Sequence, residues 1–226
     1  MKNIAIGDLH GKNVWKQIDP TQYDNIVFIG DYLDSFIVSD NDMMNNLADI
    51  IEFAKTYSNV TLLIGNHEIH YLVDNLNYAG YRASIASQAK SLLKSNMELF
   101  SFAKLIDNTL LTHAGLTDTW YNKHAYEIEN TTGDDLIEKL NNIYYTKFYD
   151  VLLTKSKLRG GISTGSILWA DLDELIQNPF NGYNQIVGHT PVDEILNYNV
   201  NGNSLTFIDC VGIQIENNKS VTFYEF

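Results

Sequence analysis

Gly30-Asp31-Tyr32-Leu33-Asp34 closes the apolar run Ile26-Val27-Phe28-Ile29. That run is too short for a helix and rich in β-branched residues, so it reads as a buried strand. Glycine lets the backbone turn sharply and delivers Asp31 where the strand stops, the usual place for chemistry in an open α/β sheet. The pattern recurs in Ile4-Ala5-Ile6-Gly7-Asp8-Leu9-His10, Leu62-Leu63-Ile64-Gly65-Asn66-His67 and Ile186-Val187-Gly188-His189. A further version, Leu110-Leu111-Thr112-His113-Ala114-Gly115, puts the glycine after the histidine. Any one match is also what an ordinary strand-to-loop turn looks like, because Gly, Asp and Asn favour turns anyway. Together, strands ending in Asp, Asn or His predict an α/β fold that builds a two-metal centre, with Asp31 the carboxylate held by both ions.

The chain has 226 residues, 45% of them apolar, and is expected to form one domain over residues 1–226 with a substantial core. No uncharged run approaches the ~20 residues that a membrane span needs. The N-terminus enters a strand without a signal-like segment. Cys210 is the single cysteine, which excludes an internal disulfide, and cytoplasmic residence is the expectation. The formal charge is −13, and only Arg82 and Arg159 among the fifteen basic residues are arginine. Duplex DNA would meet a repulsive field rather than a basic stripe, so nucleic acid is not an expected partner.

Asp8 and His10 stand one residue apart, which in an extended segment puts both side chains on the same side. A carboxylate oxygen with an imidazole nitrogen suits Mn, Fe or Zn better than Ca. Asn66 offers a neutral carbonyl oxygen to a metal, and His113 and His189 complete the candidate ligands at strand ends. The part expected of His67 is different, since with support from Asp34 it can protonate a departing oxygen as a general acid. His70 reads as structural, and Tyr71, Tyr78 and Tyr81 as packing residues. Arg82 can fork onto a phosphate, although a surface arginine is the ordinary reading.

A helix is expected from Met43 to about Tyr57, capped by Asn41 or Asp42, with Leu47, Ile50, Ile51 and Ala54 as its apolar face. Residues 68–104 read as helices, as do Asp118–Tyr126 and Asp134 to about Thr154. Residues 158–171 break the helical pattern with three glycines. This loop carries Arg159 and ends at Trp169 and Asp171, either as one wall of a cleft or with the tryptophan in the core. Ser204–Ile208, Gly212–Glu216 and Ser220–Phe226 alternate enough to be antiparallel strands of a second sheet, with Asp209 and Cys210 structural.

The set Gly7-Asp8-Leu9-His10-Gly11, Gly30-Asp31-Tyr32-Leu33-Asp34, Gly65-Asn66-His67-Glu68, His113-Ala114-Gly115-Leu116 and Gly188-His189-Thr190 resembles the calcineurin-like metallophosphoesterases. Order and spacing match from residue 4 to about 190. Glu68, the His113-Ala114-Gly115-Leu116 stretch and Ile167-Leu168-Trp169-Ala170-Asp171 look most like the phosphoprotein-phosphatase branch, near bacterial diadenosine tetraphosphate hydrolases and bacteriophage lambda phosphatase. The resemblance implies a four-layer α/β/β/α sandwich with two mixed sheets flanked by helices. It implies two divalent or trivalent ions, Mn first, with Fe, Zn or Co as alternatives. Asp8, His10 and Asp31 would hold one ion; Asp31, Asn66, His113 and His189 the other. A water or hydroxide between the ions would attack phosphorus, and His67 with Asp34 would assist the leaving group.

One departure from the family pattern stands out. The second motif ordinarily continues with Arg-Gly, where the arginine grips phosphate; here the positions are Ser35 and Phe36. Substrate charge must then be met by the metals, Asn66 or another arginine, Arg159 before Arg82. The expected activity is a phosphomonoesterase of serine/threonine phosphoprotein-phosphatase type, acting on phosphorylated protein or small phosphoesters. The alternatives are hydrolysis of dinucleoside polyphosphates or phosphodiesters and, because of Ser35, a metal-loaded scaffold that has lost catalysis.

Overall fold

The computed structural model describes residues 1–226. Its first sheet holds strands β1 (Asn3–Ile6), β2 (Asn25–Phe28), β3 (Val60–Leu63) and β4 (Phe100–Ser101), all parallel, with β10 (Tyr224–Glu225) antiparallel on the β1 edge. The second sheet runs β5 (Ala103–Ile106), β6 (Thr109–Thr112), β7 (Asn184–Val187), β9 (Asn203–Phe207), β8 (Leu196–Val200). Its three inner strands are parallel and its two edges antiparallel.

Strands covered on both faces read as continuous apolar runs because side chains alternate between two cores. Ala5, Val27, Ile29 and Leu63 point inward and meet Ile106, Leu111, Ile186 and Ile208 of the other sheet. Ile4, Ile6, Ile26, Phe28 and Leu62 point outward into the core shared with Trp15 and helix α1 (Asp40–Thr56). On the far side Val187, Leu205 and Phe207 pack under Leu175 of helix α7 (Leu172–Gln177). Burying each large side chain contributes ~1.5–3 kcal/mol. The fold is therefore α/β, with two mixed sheets face to face and helices outside.

Several local expectations are corrected. Helix α1 begins before Met43, because Ser39 caps it, accepting from the Asp42 N–H. Residues 68–104 hold only α2 (Asn66–Leu72) and α3 (Ala86–Lys94) before the chain turns into β4 and β5. Asp118–Tyr126 divides into α4 (Asp118–Lys123) and the start of α5 (Ala125–Glu129), and Asp134–Thr154 keeps one short helix, α6 (Leu136–Asn142), followed by 3₁₀ turns. Gly212–Glu216 is not a strand but part of helix α8 (Val211–Glu216), its Val211 and Gln214 buried. Of Ser220–Phe226 only the last three residues pair, Tyr224–Glu225 in register with β1 and Phe226 exchanging backbone hydrogen bonds with Asn3, and they join the first sheet rather than the second.

Candidate metal centre

Asp8 and His10 follow β1, Asp31 and Asp34 follow β2, and Asn66 opens α2 directly after β3. His113 follows β6 and His189 follows β7, so the carboxyl ends of the parallel strands in both sheets meet at one place. His10 (φ 43°), Asp31 (53°), Asp34 (64°) and His189 (65°) all lie in the left-handed region. Such backbone costs a non-glycine residue ~1–3 kcal/mol and persists only where surrounding contacts dictate it. Here the fully buried Glu68 carboxylate accepts from the N–H groups of Asp31, Tyr32, Leu33 and Gly65 at 2.8, 2.8, 3.2 and 3.0 Å. Asp8 accepts from the His189 N–H at 3.1 Å, tying the two sheets together. The loops are in backbone contact: a Cβ on Gly65 would overlap Asp31 Oδ1.

Asp31 Oδ2 is the hub. It lies 3.4 Å from His113 Nε2, 3.9 Å from His10 Nε2 and 3.9 Å from His67 Nε2. His113 Nε2 also faces Asn66 Oδ1 at 2.9 Å and His189 Nδ1 at 3.2 Å. Asp31, His113 and His189 thus offer ligand atoms to one point, and Asp31, His10 and His67 to a second. Asp8 is 1% exposed and adjacent in the fold, but its carboxylate is turned onto the His189 N–H rather than into either group.

The donor chemistry fits a pair of cations. His10 Nδ1 sits 2.7 Å from the Leu33 carbonyl and His113 Nδ1 3.0 Å from that of Ile29, so each ring donates there and keeps its Nε2 lone pair for the centre. Burial lowers the His189 pKa well below its usual value, leaving a neutral ring beside His113. Lone pairs facing each other at these distances repel unless a positive charge stands among them. Burial, then Asp209 and Asp31, raises the Asp8 pKa well above the usual carboxylate range; burial, then Asp31, raises Asp209 to about 7. Burial opposes ionisation of Asp31 too, yet His113 and His67 in their protonated forms outweigh it and hold its pKa well below normal. Asp31 in turn raises the His113 pKa against burial, so a bound cation would take the place of the proton at His113 Nε2. Such a crowd of buried acids is what a divalent ion neutralises.

Beside the hub, His67 Nδ1 lies 2.8 Å from Asp34 Oδ2, while Tyr71 Oη donates to Asp34 Oδ1 at 2.5 Å. His70 Nε2 approaches Asp34 Oδ2 to 2.6 Å, and its Nδ1 accepts from the Tyr78 N–H at 3.4 Å. Burial works against a charged His67, but Asp31 and then Asp34 raise its pKa to about 9. The sequence reading leaves Tyr71 and His70 without a part in the site. A usable signal is nevertheless present: both lie within one helical turn of His67 on α2, where i+3 and i+4 side chains share a face.

The cations are distributed unevenly. Arg159 Nη2 donates to Thr190 Oγ1 at 2.5 Å and Nε lies 2.7 Å from Asp171 Oδ2, close enough that its charge helps lower the pKa of His189. Trp169 is 7% exposed and meets the His189 ring edge-on at 5.5 Å, so the tryptophan is both core and wall. Arg82 goes elsewhere: it pairs with Asp40 and donates to the Ser35 carbonyl.

An α/β sandwich gathering Asp, His and Asn side chains at its strand ends defines a metal-dependent hydrolase of phosphoric esters. The sequence profile of the calcineurin-like phosphoesterases matches residues 1–212, and the chain belongs to that family. Among solved structures, it is similar to a cold-active protein-tyrosine phosphatase of a psychrophilic Shewanella sp., at 21% identity and a TM-score of 0.64, covering 99% of this chain and 74% of that one. A metallophosphoesterase from Sphaerobacter thermophilus aligns at 13% identity and a TM-score of 0.46, over 92% of this chain and 76% of that one. At these identities the likeness to the first shows the fold. No curated protein matches the sequence. No helix is long and apolar enough to cross a membrane.

Proposed function

We propose that the protein is a dinuclear-metal phosphomonoesterase acting on phosphorylated protein or small phosphoesters. Asp8, His10 and Asp31 would hold one ion, Asp8 giving up its bond to the His189 N–H to do so; Asp31, Asn66, His113 and His189 would hold the other; manganese is the expected metal. The observation that carries this reading is the single oxygen, Asp31 Oδ2, set among His10, His67 and His113. When bound, the ions supply Lewis acidity, lowering the pKa of water and neutralising phosphoryl oxygens.

The chain's own residues do the rest. Asp34 is hydrogen-bonded to His67 and Tyr71 with His70 Nε2 close by, its pKa lies below the usual carboxylate value, and it holds the His67 ring with Nε2 toward the hub. His67 then gives its Nε2 proton to the departing ester oxygen. Arg159, oriented by Asp171 and Thr190, turns its remaining N–H groups to the phosphoryl oxygens, replacing the motif arginine whose place Ser35 takes. The cleft beside His67 argues against a polyphosphate leaving group: Asp34 pairs with His67, which leaves Lys12 to face Asp209 and Glu216.

The test is Mn-loaded protein assayed on p-nitrophenyl phosphate, its bis-ester and diadenosine tetraphosphate, with and without chelator. Chelator-sensitive turnover of the monoester alone is expected. Faster cleavage of the bis-ester or the dinucleotide would replace this reading with the corresponding alternative, and inert, metal-replete protein would make it a scaffold.

A further inference from the structure

The loop that replaces Arg-Gly after Asp34 is held in place although it carries no phosphate-binding side chain. Ser35 Oγ accepts from the N–H groups of Ile37 at 3.3 Å and Val38 at 3.0 Å. Arg82 clamps the Ser35 carbonyl from the other side while paired with Asp40. This ordered loop shows Phe36 84% and Ile37 69% to solvent, two large apolar side chains side by side.

Both side chains line the cleft of about 350 Å³ that also contains His10, His67, Pro191 and Lys12. Lys12 makes its one hydrogen bond, at 3.5 Å, to the Leu9 carbonyl. The cleft therefore has an apolar lip and a single ammonium close to the imidazole assigned to the departing oxygen. A group bonded to that oxygen has this cleft, lined by Phe36 and Ile37, open to it. A ring there gains offset or edge contact with Phe36 and loses water from both surfaces, which a small polar alcohol cannot do.

We propose that Phe36 and Ile37 form a leaving-group subsite selecting phosphate monoesters of aromatic alcohols, a reading that rests on the phosphomonoesterase function above. The residues just after Ser35, which takes the place of the phosphate-gripping arginine of relatives, would instead grip the group that phosphate is attached to. The positive charge comes instead from Lys12 within the cleft and from Arg159 beside Thr190 and His189.

Turnover alone is a poor test, because aromatic alcohols are better leaving groups whatever the enzyme does. Binding of non-hydrolysable phosphonates removes that difference. Titration calorimetry of the Mn-loaded full chain is expected to give phenylphosphonate about tenfold tighter binding than methylphosphonate, one aromatic contact's worth. In Phe36→Ala/Ile37→Ala the ratio falls toward one, and Phe36→Trp restores it. Both positions are exposed, so the variants keep the fold, which circular dichroism checks. Equal or undetectable binding of the two phosphonates, or a ratio preserved in the double variant, overturns the subsite. If chelator-sensitive hydrolysis of p-nitrophenyl phosphate persists, only the subsite has failed; if it is absent, the function above has failed as well.

Discussion

Asp34 is the residue on which the proposed acid step turns, although it is not among the proposed ligands. It meets His67, His70 and Tyr71 from a single turn of α2, so its charge serves to fix one imidazole. Removing that imidazole should hurt most where the leaving oxygen needs a proton. His67→Asn is expected to lower kcat on phenyl phosphate by ~10²-fold and on p-nitrophenyl phosphate, whose anion departs unaided, by under ~10-fold. Equal losses on the two esters would remove His67 from proton transfer. Arg159 makes a second residue-scale case. Its ion pair with Asp171 is partly exposed, so Arg159→Ala should cost under ~1 kcal/mol in a urea melt. Loss of its charge from the phosphoryl oxygens should lower kcat/KM by ~10²-fold. Unchanged kcat/KM would return it to the surface role that arginines ordinarily have.

At the scale of elements, the centre depends on loops approaching closer than side chains allow. Gly65 caps α2, and a Cβ there would run into Asp31 Oδ1 and sit 2.5 Å from the Asp31 N–H nitrogen. Gly65→Ala must therefore push the shared carboxylate off the hub. Calorimetric Mn²⁺ binding is expected to weaken by at least ~10-fold while the circular dichroism spectrum is retained; wild-type affinity would show that the loops have slack. The same geometry explains how much is legible in the sequence. A strand followed by Gly and a donor residue is a local pattern, so β1, β2, β3, β6 and β7 and the residues at their ends can be read one by one. Gly212–Glu216 misleads because Ile213 and Ile215 alternate like a strand, whereas burial of Val211 and Gln214 on one helical face depends on distant neighbours. The Glu68 clamp and the capture of Arg82 by Ser35 and Asp40 are equally hidden. Each joins residues about forty positions apart, and no short spacing encodes them.

The whole molecule is two sheets whose shared core is apolar and whose common rim is acidic. The first sheet contributes Asp8, His10, Asp31 and Asn66 to that rim, the second His113 and His189. On the proposed ligand set the second ion spans the sheets, and Asp31 couples it to the first. Metal binding should then stabilise the entire fold rather than a loop. An ion that binds only the folded chain adds ~2.7 kcal/mol at a hundredfold excess over its Kd, which for a chain of this length raises Tm by about 5–10 °C. Chelation should reverse the rise, and re-addition of Mn²⁺ should restore it together with turnover. The partition among variants tests the shared carboxylate itself. His10→Ala and His189→Ala each remove a ligand from one ion only and should keep part of the rise. Asp31→Asn weakens both ions at once and should lose nearly all of it. A full rise in Asp31→Asn would mean that the ions bind independently, and the hub geometry would then describe packing rather than coordination.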